Sequence, residues 1–155
     1  MSYSEPNSPK LDYIFKKTSD EKTLVLFNSI ATAEEDGPIT LKKSNLTAKQ
    51  YYIRISGLME AGLIKRYKGK YSLTLLGRVV HDSQMIISKA LSYYSKLKSI
   101  ESIEMSNGAA LPKEELVQLI NAMLDSHQIK DMIMKPSKVE DDSKTRLVEK
   151  KPTRH

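Results

Sequence analysis

The chain has 155 residues, 39% of them hydrophobic, no cysteine, and a formal net charge of +6. Without cysteine there is no disulfide, no thiolate nucleophile and no Cys-ligated zinc or iron–sulfur site. The length suits one compact domain of about 100 residues with extensions, and no run approaches the roughly 18 unbroken apolar residues of a membrane-spanning helix.

Residues 1–10, MSYSEPNSPK, are polar, lack the apolar core of a signal peptide, and are expected to form a disordered tail. Leu11 to Lys17 carries enough apolar residues (Leu11, Tyr13, Ile14, Phe15) to pack a short strand or a turn of helix. Its Lys16-Lys17 pair is either solvated or within reach of a phosphate. Ser19 is the expected cap of a core helix from Asp20 to about Ala33, with Leu24, Phe27, Ile30 and Ala31 as its apolar stripe. Glu34 to Gly37 ends that helix. Pro38-Ile39-Thr40 suits a short edge strand, and Leu41 to Ser44 a one-turn helix followed by a turn at Asn45-Leu46.

The stretch Leu46–Thr74, LTAKQYYIRISGLMEAGLIKRYKGKYSLT, carries the most information. Thr47 with Gln50 three residues on is a capping-box pattern, and Tyr51, Ile55 and Leu58 then recur at helical spacing until Gly62 supplies a left-handed stop. Leu63–Tyr67 and Tyr71–Leu73 read as two short strands joined at Lys68-Gly69-Lys70, and Thr74 can cap the next helix. Helix, glycine, basic hairpin and helix in this order is the pattern of a winged helix-turn-helix.

The charge is concentrated in the same place. From Leu41 to Lys70 there are eight basic residues and one acid, Glu60, a local charge of +7 that leaves the remainder near −1. Such a footprint suits a surface that meets phosphates. By helical phase, Lys49, Ile53, Ser56, Gly57 and Glu60 lie opposite the apolar face, with Gln50, Tyr52 and Arg54 on its flanks. In a major groove Lys49 suits guanine acceptors, Gln50 an adenine edge and Ile53 a thymine methyl, while Tyr52 and Arg54 suit phosphates. In the hairpin, Ile64 is expected to point inward and Lys65, Lys68 and Lys70 outward, with Arg66 either reaching DNA or bracing the strands. The candidate interface is thus Thr47, Lys49, Gln50, Tyr52, Ile53, Arg54, Lys65, Arg66, Lys68 and Lys70. The competing readings are an ordinary solvated face, a protein-interaction adaptor, and non-specific DNA or RNA binding.

From Thr74 a single helix to about Ile103 is expected, the alternative being a break near Ser88 or Tyr94 with the chain folding back. Leu76, Val79/Val80, Ile86/Ile87, Ala90, Tyr93/Tyr94, Leu97 and Ile100 approximate a heptad seam for a second copy of the chain. A turn at Ser106-Asn107-Gly108 precedes a helix opened by Pro112, and a shorter helix follows from Ser126. Residues 135–155 are mixed in charge and expected to be a disordered tail. His81, His127 and His155 are isolated, and His81 reads as a surface or interface residue. No metal-ligand spacing, paired carboxylates or phosphate-binding glycine loop suggests an enzyme or a cofactor.

The segments LTAKQYYIRISGL and MEAGLIKRYKGKYSLTLLGRVV resemble the winged helix-turn-helix regulators of the ArsR and MarR types, particularly small archaeal members. The likeness covers about residues 19–90 and rests on Gly62-Leu63-Ile64, the basic wing, and Leu73-Thr74 followed by Gly77. It implies a homodimer on duplex DNA, with Lys49, Gln50, Ile53 and Arg54 in the groove, and a cytoplasmic, nucleoid-associated transcriptional regulator. A thiolate metal sensor is ruled out by the absence of cysteine. The expected architecture is mainly α with a small β-hairpin: tail 1–10, winged helix-turn-helix 11–87, helical dimerisation or accessory region 88–134, tail 135–155.

Overall fold

The computed structural model describes residues 8–33, 44–106, 108 and 110–135. The expected acidic loop, the edge strand at Pro38–Thr40, the one-turn helix at Leu41–Lys43, most of the N-terminal tail and the C-terminal tail from residue 136 lie outside the described residues. The protein is mainly helical. Its described elements run α1 (Leu11–Thr18), α2 (Glu21–Thr32), α3 (Ala48–Glu60), β1 (Ile64–Tyr67), β2 (Lys70–Leu73), α4 (Leu75–Ser92), α5 (Tyr94–Ser106), α6 (Lys113–Met123) and α7 (His127–Met134). They fall into two compact units, 1–88 and 89–155, with α4 crossing the boundary.

In the first unit, residues 11–18 make two turns of helix that bury Ile14 and Thr18. The cap of α2 is Asp20, not Ser19. Its carboxylate accepts from the Thr23 amide at 3.1 Å and the Thr23 hydroxyl at 2.5 Å, because Thr23 stands three residues on, where a capping side chain reaches. Ser19 instead donates to the Lys16 carbonyl, closing α1. The buried stripe of α2 is also shifted from expectation. Thr23, Leu26, Phe27 and Ile30 face the core, while Leu24 is exposed and Ala31 half-buried.

In α3 the expected capping box forms. The Thr47 hydroxyl accepts from the Gln50 amide at 3.2 Å, and the Gln50 side-chain carbonyl accepts from the Thr47 amide at 3.4 Å. Tyr51, Ile55 and Leu58 join Phe27, Leu63 and Ile64 in one core. Phe27, Leu58 and Leu63 are fully buried, each contributing about 2–3 kcal/mol of transfer free energy. Gly57 lies on the buried side, contrary to its helical-phase assignment. The Lys17 side chain of α1 lies across it: a Cβ there would stand 3.5 Å from that side chain, an ordinary contact.

Gly62 stops α3 with φ +73°, as expected. The strands pair antiparallel, Ile64 opposite Leu73, Lys65 opposite Ser72, Arg66 opposite Tyr71 and Tyr67 opposite Lys70. Lys68 and Gly69 form the tip, both left-handed at φ 49° and 76°, as a two-residue turn matched to strand twist requires. Thr74 then ties three elements together. Its amide donates to Leu63 O at 3.0 Å, its hydroxyl donates to Gly62 O at 2.5 Å, and the same hydroxyl oxygen accepts from the Gly77 amide at 2.9 Å.

The expected single helix from Thr74 to Ile103 is interrupted. α4 ends at Ser92, Tyr93 forms a tight turn through its amide to Ala90 O, and α5 begins at Tyr94. The Tyr93 hydroxyl donates to Asp125 between α6 and α7. That bond draws the seam into the chain's own second unit, and Ile100 is buried there with Ile120, Leu124 and Ile129. Ser126 caps α7 as expected. His81 is a packing residue, not a surface one: its Nε2 lies 3.0 Å from Asn28 Oδ1 and its ring meets Phe27 edge-on.

Candidate nucleic-acid interface

The capping box fixes the start of α3 and with it the direction of the outward side chains. Lys49 and Tyr52 are exposed, and Ile53 is 59% exposed although apolar. These three share the open side of α3. Thr47 and Gln50 are engaged differently from the sequence reading. The Gln50 carbonyl oxygen accepts from the Thr47 amide, which ties the side chain back to the start of α3.

Arg54 is not a free cation. Its Nε and Nη2 donate to Asp20 Oδ1 at 3.3 and 3.2 Å, and its Nη1 donates to Gln50 O at 3.1 Å. It clamps α3 to the N-terminus of α2. The cost to Asp20 is partial burial, which raises its carboxyl pKa. The Thr23 hydroxyl and amide, with the Arg54 guanidinium, outweigh that and hold it below the ordinary 3.8. A carboxyl depressed on folding stabilises the protein above its unfolded pKa, and that stability is lost as pH falls through the folded value. Asp20→Asn is therefore expected to lower stability at pH 7, where the charged carboxylate contributes, and to flatten the further loss below about pH 4, so that variant and wild type converge in acid; Asn keeps the cap itself. Urea titrations at pH 3 and pH 7 check this; an unchanged acid-induced loss of stability would contradict it.

The one acid of the basic stretch is accounted for by α1. Glu60 lies 3.8 Å from the Lys17 ammonium and accepts from the Tyr13 hydroxyl at 3.4 Å. Lys17 is thus a partner of Glu60, and among the described residues no basic side chain of the 41–70 stretch is paired with it.

The hairpin cations divide by face. Arg66 lies over the Tyr71 ring at 5.7 Å, and both act on Tyr51 of α3. Burial, then Tyr71 and Tyr52, raise the Tyr51 pKa, and Arg66 opposes them. Arg66 therefore braces the strands on the α3 side. Strand alternation puts Lys65, Tyr67, Lys70 and Ser72 on the other face. There Lys65 and Ser72 line a polar cavity of about 510 Å³ with Arg78, His81 and Asp82. Arg78 was missed by the sequence reading; its signal was its place directly after Gly77, whose turn of helix packs on the hairpin. Lys68 stands at the tip, its ammonium 5.2 Å from the Tyr67 ring.

The expected site is therefore brought together in part. Lys49, Tyr52 and Ile53 form an open face on α3, Lys68 the tip, Lys65 and Lys70 the far face of the hairpin, and Thr47, Gln50, Arg54 and Arg66 the scaffold. Among the described residues, no group of three or more His, Asp or Glu side chains is placed to hold a metal ion, and no helix is long and apolar enough to cross a membrane. Comparisons with protein-family models, with curated proteins and with solved structures find no match to this chain.

Proposed function

We propose that this chain is a sequence-specific, double-stranded DNA-binding transcriptional regulator of winged helix-turn-helix type, acting as a homodimer. The open face of α3 lies in the major groove, and the hairpin grips the adjacent backbone. Lys49 and Ile53 approach base edges, Tyr52 and Lys68 approach phosphates, and Arg54 holds the reading helix in place.

The observation that carries this reading is the backbone of Lys68. A lysine at φ 49° occupies a conformation that costs an L-residue about 1–2 kcal/mol, and Asn or Gly would take it more cheaply. Strain of this kind persists where the side chain has a use, and contact with a phosphate would give one to a cation at the exposed tip of a basic hairpin. Lys68→Asn is expected to raise stability by about 0.5–1 kcal/mol and at the same time to weaken binding of genomic duplex fragments in mobility-shift assays. Opposite signs in the two measurements support the reading. A variant more stable and equally good at binding contradicts it, and preference for single-stranded RNA over duplex in the same assay favours RNA binding.

For the dimer, the supporting feature is α4. Of its residues only Gly77 is buried, and Leu75, Val79, Ile87 and Leu91 are exposed. Soluble proteins cover an apolar face of this extent with a partner. A second copy packed along the exposed face of α4, and not along the whole of residues 76–103, since Tyr93 and Ile100 are buried, would present two reading helices to half-sites about one helical turn apart.

A further inference from the structure

The duplex contacts proposed above leave the far face of the hairpin unused. Strand alternation puts Lys65, Tyr67, Lys70 and Ser72 there, away from Tyr71, which packs against the core, and from Arg66, which lies over it. The two strand tyrosines differ sharply. Tyr71 is half-buried, while Tyr67 is 67% exposed and lies outside the core cluster. The Lys68 ammonium is 5.2 Å from the Tyr67 ring, and Lys70 is its partner directly across the ladder. Lys65 stands two residues back on the same face, about 7 Å along the strand.

The charge on this side is predominantly positive. Arg78 of α4 lines the polar cavity together with Lys65, and among the described residues none of Lys65, Lys70 and Arg78 is in an ion pair. The one acid lining that cavity, Asp82, lies 3.8 Å from His81 Nδ1. Three cations against one carboxylate select an anion, and an exposed ring among them selects an anion with a flat face to offer. Unpaired nucleic acid has both, phosphates at regular spacing and bases whose faces are open to stacking. A duplex presents only base edges and phosphates, and a run of carboxylates has no ring to stack.

We propose that this face holds single-stranded DNA, one base stacked on Tyr67 and the neighbouring phosphates on Lys65 and Lys70. The duplex reading of α3 enters at one point only, the choice of DNA over RNA, because a strand unpaired at the edge of a bound duplex is the nearest source. Paired and unpaired DNA then occupy opposite faces of the hairpin.

The test uses the full chain and fluorescence anisotropy with labelled oligo(dT), oligo(rU) and oligoglutamate of about 15 units, close to the footprint of such sites, beside a blunt duplex. Oligo(dT) is expected to bind saturably and more tightly than oligo(rU) or oligoglutamate. Tyr67→Leu is expected to weaken it about tenfold, with the thermal midpoint and the duplex affinity unchanged, and Tyr67→Phe, which keeps the ring, to bind as wild type does. Lys65→Gln with Lys70→Gln is expected to lower the salt slope for oligo(dT) by about 1.4. Affinity for oligo(dT) that is indifferent to Tyr67→Leu, or matched by oligoglutamate, overturns the proposal, and tighter binding of oligo(rU) overturns the assignment to DNA. Duplex binding without oligo(dT) binding ends this inference and leaves the reading of α3 standing. Oligo(dT) binding that depends on Tyr67, with no duplex binding, does the reverse.

Discussion

Replacing Gly77 by alanine is expected to destabilise the N-terminal unit by about 3 kcal/mol or more, since a Cβ there makes the closest approach of any described glycine. A Cβ at residue 77 would lie 1.9 Å from Leu63 O and 2.9 Å from Leu63 C. These are backbone atoms at the start of the hairpin and cannot rotate aside. Leu63 is also held from both ends, its amide donating to Leu58 O and its carbonyl accepting from the Thr74 amide, both at 3.0 Å. Relief therefore requires α4 to move off the hairpin, which stretches the Thr74 bonds to Gly62 and Gly77 together. Against a typical total of 5–15 kcal/mol, such a loss lowers a thermal midpoint by about 12 °C or more for a unit of this size. Thermal unfolding followed by circular dichroism checks it. A change below about 1 kcal/mol would mean that α4 and the hairpin are not in contact at this point.

That expectation also explains why one part of the fold could be read from the letters. Gly62, Thr74 and Gly77 each answer a local demand that few other residues meet: a left-handed stop, a hydroxyl that both donates and accepts, and a turn of helix against a carbonyl. The pattern Gly62-Leu63-Ile64 followed by Leu73-Thr74 and Gly77 is the trace of that joint, and the hairpin and capping box near it were legible for the same reason. Neighbouring features were not, because their causes are distant in sequence. Helical phase placed Gly57 on the open side, since nothing local announces that Lys17 lies across it. It gave Arg54 to phosphate, since its partner Asp20 is 34 residues away. The apolar spacing runs through Tyr93 without a fault, which favoured an unbroken helix over the alternative of a break near Ser88 or Tyr94; the break found between α4 and α5 is marked by a bond to Asp125, 32 residues on. Ser19 and Asp20 are both good caps, and only the position of Thr23 decides between them.

These corrections sharpen the candidate interface. Arg54→Ala tests folding and binding at once, because the clamp to Asp20 is lost with the charge. Lys49 and Lys68 are the better pair. Both are exposed, neither is ion-paired among the described residues, and they stand on different elements, so they report on whether α3 and the hairpin tip act as one surface. In a duplex complex each lysine that neutralises a phosphate, or displaces the counterions of one, contributes about 0.9 to the slope of log affinity against log salt. The double replacement Lys49→Gln with Lys68→Gln is expected to reduce that slope by about 2 and to weaken binding at low salt by roughly 10–100-fold. Thermal stability should hold or rise slightly, since residue 49 is solvent-exposed and Gln is no worse than Lys at the strained tip.

The measurement that bears most directly on the interface is this salt dependence, taken by fluorescence anisotropy on a duplex selected from bound genomic fragments. Wild type, each single variant, the double variant and an exposed control, Lys22→Gln on α2, are compared. A steep slope is expected for wild type, with reductions of about 1 for Lys49→Gln and for Lys68→Gln, about 2 for the pair, and none for Lys22→Gln. A slope that responds to only one of the two lysines, or that is equally insensitive to all of them, would contradict a single surface built from α3 and the hairpin.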